Sequence, residues 1–259
     1  MIKIAIMSPF KDEGKKLLIN NNFKVINEKK LSKTNYKSIE GVILDTRDFK
    51  NERLDKFKNL KIISRFGVGV NNVDLKVLKK KKIQLSITKN SIGWSVAEHA
   101  FTLIMTCLKN IILLDKSAKT QKKSKRLTYD LFKKNILIIG YGRTGKSLSK
   151  ILKNFSTNIF IYDPFIKKTP KFVKKVSLAF GLKNADIISI HTPLSLSTKN
   201  LISKKEFSKM KKNAIIINTS RGGIINENYL DLFLKKRKIL AAGIDVYENE
   251  PELNLPLSK

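Results

Sequence analysis

The run Ile136-Leu137-Ile138-Ile139-Gly140-Tyr141-Gly142-Arg143-Thr144-Gly145-Lys146 leads an apolar stretch into glycines spaced Gly-x-Gly-x-x-Gly, then into a sequence of helical character. In that context each glycine has a use. Gly140 permits a tight turn, Gly142 exposes bare backbone, and Gly145 lets a helix lie close to its strand. The free N–H groups at the start of that helix, around Arg143 and Thr144, then face a bound diphosphate. A strand-to-helix turn with no ligand is the plain alternative. Asp163 closes the next apolar run, Asn158-Ile159-Phe160-Ile161-Tyr162-Asp163-Pro164. A carboxylate there accepts hydrogen bonds from the ribose hydroxyls of an adenosine. Its charge opposes a 2′-phosphate and so favours NAD over NADP, with Lys167 and Lys168 pulling the other way. A turn aspartate before proline is the competing reading.

Arg221 stands just beyond the apolar run 214–218. A guanidinium is permanently charged and offers a planar fork of donors to a carboxylate and its neighbouring carbonyl oxygen. Its place at the carboxyl end of a strand is where open α/β sheets bind ligands, although a surface arginine at a turn looks the same in sequence. Of the two histidines, His99 opens an amphipathic stretch and reads as structural, while His191 follows an apolar run. The single cysteine, Cys107, lies among apolar residues and reads as a small buried hydrophobe. One thiol excludes both a disulfide framework and a thiolate zinc site.

These residues must be positioned by something, and the pattern is short β-branched runs alternating with longer amphipathic stretches, the signature of a parallel α/β sheet. Strands are expected at 3–7, 24–27, 41–45, 61–64 and 84–87, then at 136–139, 158–162, 186–190, 214–218 and 239–244. Helices are expected at 11–20, 72–80, 96–114, 143–154, 204–210 and 227–235. Residues 95–119 read as one long connector helix with Ser95 as its N-cap, and 120–129 as an exposed basic loop. The expected division is an α/β unit at 1–94 and a nucleotide-binding α/β unit at 95–259.

The formal net charge of +32 raises nucleic-acid binding as a possibility. The lysines are spread along the whole chain, however, and no helix-turn-helix, zinc finger or aromatic-basic RNA motif is present, so a compositional bias towards lysine, isoleucine and asparagine is the preferred explanation. No specific nucleic-acid partner is expected, although a basic field would steer anionic substrates. Hydrophobic residues at 42% suffice for real cores. No apolar run is long enough to span a membrane, and the N-terminus reads as a first strand rather than a signal peptide. The default expectation is cytoplasmic, with no membrane partner.

Further segments follow in order: Arg65-Phe66-Gly67-Val68-Gly69-Val70-Asn71-Asn72-Val73-Asp74, Ser95-Val96-Ala97-Glu98-His99, Asn218-Thr219-Ser220-Arg221-Gly222-Gly223, and Gly243-Ile244-Asp245-Val246-Tyr247-Glu248-Asn249-Glu250-Pro251. With the glycine loop, this ordered set resembles the NAD-dependent D-2-hydroxyacid dehydrogenases over residues 65–251. The first 60 residues match only in general α/β character. The resemblance implies two α/β domains, Rossmann-like and flavodoxin-like, the first binding substrate and the second NAD. It implies hydride exchange between NAD(H) and a small D-2-hydroxy or 2-keto acid, a class that includes 3-phosphoglycerate-like acids, bound in the cleft between the domains, in a homodimer. Arg221 would hold the substrate, with the amides of Gly67, Val68 and Gly69 on its carboxylate. That loop alone reads equally well as a glycine-rich turn. Glu250 would be the acidic partner of the catalytic histidine, although Glu248 and Glu252 beside it make a solvated loop equally readable. Thr192, Thr219 and Asp245 would line the cofactor, Asp245 towards the nicotinamide.

The pattern also departs from the family. Its acid/base histidine follows the Glu-Pro segment in a Pro-His motif, and this sequence ends at Lys259 with no histidine after His191. The expectation is a chain that binds cofactor better than it turns over, with an apolar patch left exposed. A non-catalytic NAD(H) sensor or scaffold of the same fold is the alternative. Asn71 replaces a more usual Asp, and Lys89 and Ile92 replace Pro and Asn, so no subfamily's substrate carries over.

Overall fold

The computed structural model describes residues 1–70, 72–88, 92–121 and 127–250. Asn71, Lys89 and the residues from Pro251 onward, on which some of the sequence expectations fall, lie outside this range. The chain divides into two compact units, Met1–Ile92 and a second beginning at Gly93.

In the first unit the order is β1 (Lys3–Met7), α1 (Asp12–Asn20), β2 (Lys24–Asn27), α2 (Lys33–Tyr36), β3 (Gly41–Leu44), α3 (Asn51–Asp55), β4 (Ile62–Arg65), α4 (Leu75–Lys80) and β5 (Gln84–Ile87). The sheet is parallel throughout, in the flavodoxin-like order β2-β1-β3-β4-β5. Its core gathers Ala5, Met7, Val42, Leu44, Phe49, Leu54, Phe57, Ile63 and Leu78. Helix α4 starts where it does because the Asp74 carboxylate accepts the Lys76 and Val77 amides at 2.9 and 3.1 Å, meeting two donors the first helical turn leaves open.

In the second unit the order is α5 (Gly93–Leu108), α6 (Ile111–Lys119), β6 (Asn135–Ile139), α7 (Arg143–Leu152), β7 (Asn158–Tyr162), β8 (Val173–Lys175), α8 (Leu178–Asn184), β9 (Ile187–Ile190), α9 (Lys204–Phe207), β10 (Ile215–Asn218), α10 (Glu227–Lys235) and β11 (Ala241–Ile244). The sheet runs β11-β10-β9-β6-β7-β8, all parallel. This is the doubly wound Rossmann order, with its switch point between β6 and β9. Alternation along β6 shows both faces covered. Ile136 and Ile138 pack with Ala97, Ala100 and Ile104 of α5 and Leu148 and Leu152 of α7. Leu137 and Ile139 face the opposite cluster, with Leu182, Phe207, Leu230 and Phe233. Burial on both sides explains why β9 and β10 are so rich in isoleucine.

The single connector helix expected over 95–119 is corrected to two helices, α5 and α6, bent by 58°. Asn110 sits between them at φ +51°, and asparagine is one of the few residues that tolerate this left-handed conformation. The helix begins at Gly93, so Ser95 lies inside its first turn rather than capping it. Cys107 is largely buried, and burial pushes its thiol up to about 11, which keeps it protonated and unreactive at neutral pH. Among the described residues no single helix is long and apolar enough to cross a membrane.

Candidate functional site

The glycine loop joins β6 to α7 at the carboxyl edge of the second sheet, beside the switch point. Gly140 has φ +89°, and a Cβ there would meet the His191 carbonyl oxygen at 2.7 Å. A Cβ at Gly145 would lie 2.3 Å from the Gly140 carbonyl oxygen, whereas one at Gly142 would meet nothing within 4 Å. Gly140 and Gly145 are therefore demanded by the fold itself. Gly142 is not, and its open side leaves room for a ligand to touch the backbone. Gly142 is the extended residue at the head of α7 with no side-chain cap, so the first amides of α7, from Arg143, lack intrahelical partners and favour an anion.

Asp163, just past β7, ties the loop to the neighbouring strand. Its Oδ2 accepts the Tyr141 amide at 2.8 Å and its Oδ1 the Phe165 amide at 2.9 Å. Each carboxylate oxygen retains a second lone pair, which suits it to accept sugar hydroxyls as well. Tyr141 is itself buried, its hydroxyl 2.9 Å from Ser149 Oγ on α7, so loop, strand end and helix are one fastened assembly.

The other half of the edge lies over β9, β10 and β11. His191 follows β9. Its Nε2 is 2.8 Å from the Ser189 hydroxyl, and burial drives the ring down to about 4, so it is neutral at physiological pH. Thr192 is the next residue, partly buried. Thr219, after β10, is 7% exposed, and its Oγ1 is buried without a partner among the described residues. A buried orphan hydroxyl costs stability unless something satisfies it, and at this edge a bound ligand would. The open face at Gly142, the uncapped helix and this hydroxyl together fit a dinucleotide at the switch point.

The turn that presents Arg221 is built by Asn218, only 2% exposed. Its Nδ2 donates to the Arg221 carbonyl at 2.9 Å, and its Oδ1 accepts both the Ser220 amide and the Ser220 hydroxyl, at 3.1 and 2.8 Å. Among the described residues the exposed Arg221 guanidinium hydrogen-bonds only its neighbour's carbonyl, Nη1 to Ser220 O at 2.6 Å. Gly222 lies flat against the 247–248 backbone, where a Cβ would fall 1.9 Å from the Tyr247 carbonyl oxygen. The segment carrying Glu250 is thus pressed against the Arg221 turn. Glu250 Oε1 accepts the Tyr247 amide at 2.7 Å, and Glu227 Oε1 accepts the Glu248 amide at 2.8 Å. Partial burial, with Glu248 and Glu250 nearby, raises the Glu227 carboxyl above the usual range even though the Glu248 amide opposes it. Asp245 directly follows β11. Its amide donates to the Asn218 carbonyl at 3.0 Å, and its carboxylate lies 3.2 Å from His99 Nε2 of α5.

In the first unit Gly67 adopts φ +144°, and its amide donates to the Arg65 carbonyl at 2.9 Å. Among the described residues this leaves the Val68 and Gly69 amides, rather than all three, open to an anion. Arg65, 5% exposed, braces the loop: its Nε donates to Asn72 Oδ1 at 3.3 Å and its Nη1 to the Phe66 carbonyl. Sequence reasoning missed Arg65, Asn72, Asn218 and the His99–Asp245 pair. Only Asn218 carried a usable signal, an asparagine at a strand end heading a turn-forming Thr-Ser-Arg-Gly.

Residues 101–259 match the family model described as "D-isomer specific 2-hydroxyacid dehydrogenase, NAD binding domain". The chain is 34% identical over 256 residues to the hydroxypyruvate reductase of Thermotoga maritima, covering 96% of this chain and 84% of that protein. It is 37% identical over 212 residues to the D-3-phosphoglycerate dehydrogenase of Methanocaldococcus jannaschii, covering 79% of this chain but only 40% of that longer protein. Among solved structures, the D-lactate dehydrogenase of Aquifex aeolicus, complexed with NAD and lactic acid, superposes with a TM-score of 0.82 at 26% identity, covering 96% of this chain and 78% of that one. A glycine loop with one open glycine, a matching domain and likeness to a reductase over 96% of the chain converge, and the chain belongs to the D-isomer specific 2-hydroxyacid dehydrogenase family, oxidoreductases that use NAD.

Proposed function

We propose that the protein interconverts a small D-2-hydroxy acid and its 2-keto acid. When bound, NAD supplies or accepts the hydride at C2 of the substrate. The observation that carries this reading is Arg221: an exposed guanidinium on a turn whose backbone a buried asparagine fixes, at the carboxyl edge of the sheet that bears the glycine loop. We assign Arg221 to the substrate's carboxylate and carbonyl oxygens, and the Val68 and Gly69 amides to an anionic oxygen of the substrate. Gly140, Gly142, Arg143, Thr144 and Gly145 hold the diphosphate, Asp163 the ribose, and Thr192, Thr219 and Asp245 the nicotinamide half. Glu250, steadied by the Tyr247 amide, would be the carboxylate partner of an acid/base imidazole, a group that neither His99 nor His191 is assigned to supply. The names of the relatives put hydroxypyruvate and 3-phosphoglycerate chemistry within the substrate class. A homodimer is part of the proposal, supported by α6, where Ile111, Ile112, Leu113 and Leu114 are 49%, 67%, 40% and 37% exposed.

The test is NADH oxidation with glyoxylate, hydroxypyruvate and 3-phosphohydroxypyruvate. Turnover is expected with at least one, and Arg221→Lys, which loses the fork, should reduce kcat/KM about 10- to 100-fold. Folded protein that binds NADH but oxidises none of these beyond background would replace the enzyme reading with that of an NAD(H) sensor.

A further inference from the structure

We propose that His99 is a positioning residue for the nicotinamide half of the site, holding the Asp245 carboxylate in place from the neighbouring helix. This rests on the assignment of Asp245 to that half. The sequence gives His99 no evident task, since it sits on α5, far along the chain from the strand it serves. Yet its Nε2 lies 3.2 Å from Asp245 Oδ1, with both side chains 47% exposed, at the carboxyl edge of β11.

The packing beneath shows why the two meet. Leu103, one helical turn after His99, lies over Gly243, two residues before Asp245. A Cβ on Gly243 would fall 3.0 Å from Leu103 Cβ and 2.8 Å from Ile217 Cδ1. Only a bare backbone at 243 lets α5 come this close to β11, and the next turn of the helix then delivers His99 to Asp245. The Asp245 backbone is fixed separately, by its amide on the Asn218 carbonyl at 3.0 Å. The strand end therefore sets where the residue is and the imidazole sets where its carboxylate is. With Oδ1 turned to His99, Oδ2 is the freer oxygen to accept a donor such as a carboxamide N–H. Without the imidazole, a half-exposed aspartate samples several rotamers, and ordering it has an entropic cost at each binding event.

The experiment compares NADH with ADP-ribose, which carries the diphosphate and both riboses but no nicotinamide, by calorimetry on the intact chain. His99→Ala should weaken NADH about 3- to 10-fold, while ADP-ribose affinity stays unchanged. His99→Gln, which keeps an N–H donor, should restore most of the loss. In an Asp245→Ala background, which removes the acceptor, His99→Ala should add nothing. General damage to the fold would weaken both ligands together, so parallel losses, or no loss for NADH, overturn the proposal. If the unaltered chain binds neither ligand, the cofactor assignment itself fails and takes this inference with it. Binding of ADP-ribose without any gain from the nicotinamide overturns the inference alone.

Discussion

His191 is neutral because protonating it would place a charge in a buried spot beside the glycine loop. Its folded pKa of about 4 lies below the ordinary 6.5, so between those values the unfolded chain binds a proton that the native chain refuses. Stability is therefore full above pH 6.5 and declines as the pH falls towards 4, at about 1.4 kcal/mol per unit and roughly 3 kcal/mol in all. Urea midpoints followed from pH 7.5 to 5 should show this decline, and His191→Gln should flatten it. An unchanged slope in the variant would show that the ring is not responsible. Glu227 is the opposite case among carboxylates. Its raised pKa makes the charged form a burden above that pKa, while its oxygen still serves the Glu248 amide. Glu227→Gln keeps the acceptor and removes the charge, so chemical denaturation at pH 7 should find it as stable as the native chain or up to about 1 kcal/mol more so. A loss of stability would mean the charge is needed at that turn. At this scale the sequence was informative where a residue type has one dominant use, as with Arg221 on a strand end. It was silent where the use depends on a distant partner. Nothing local marks Arg65 as a buried brace or His99 as the neighbour of Asp245.

The β6–α7 element separates two kinds of glycine. Gly145→Ala drives a methyl into the Gly140 carbonyl and should destabilise the fold by about 1–3 kcal/mol. Gly142→Ala meets no protein atom. It should melt like the native chain yet lose most of the thermal upshift that NADH produces, because the methyl occupies the space through which a diphosphate reaches the backbone. Melting curves with and without NADH decide it, and an undiminished upshift in Gly142→Ala would remove the diphosphate from this loop. The same element was readable in sequence, since an apolar run entering a glycine pattern has few other outcomes. Strands β1, β2, β5 and β7 and helix α10 also appear with the boundaries their hydrophobic pattern suggests. β8 escaped notice because it has three residues and exposes both its lysines, so it offers no alternation to detect. α8 escaped because Gly181 interrupts its apolar face. The connector was read as one helix because its apolar sequence continues past Asn110, and only the backbone at that residue reveals the bend.

On the scale of the whole molecule, the excess of 53 basic over 21 acidic residues makes the compact state self-repelling. Salt shortens the reach of that repulsion to about 10 Å at 0.1 M. Raising sodium chloride from about 20 to 300 mM should therefore raise Tm by a few degrees, and a flat or falling Tm would indicate that local ion pairs dominate instead. The contact between Gly222 and the Tyr247 carbonyl has a wider bearing. Two stretches remote in sequence are locked face to face with no clearance for even a methyl group, so neither can be repositioned alone. A nick, a frayed end or an ill-chosen graft that peels back the later stretch removes the wall behind the earlier one. Damage near the end of the described chain would then be felt at the guanidinium without any change to the loop that carries it.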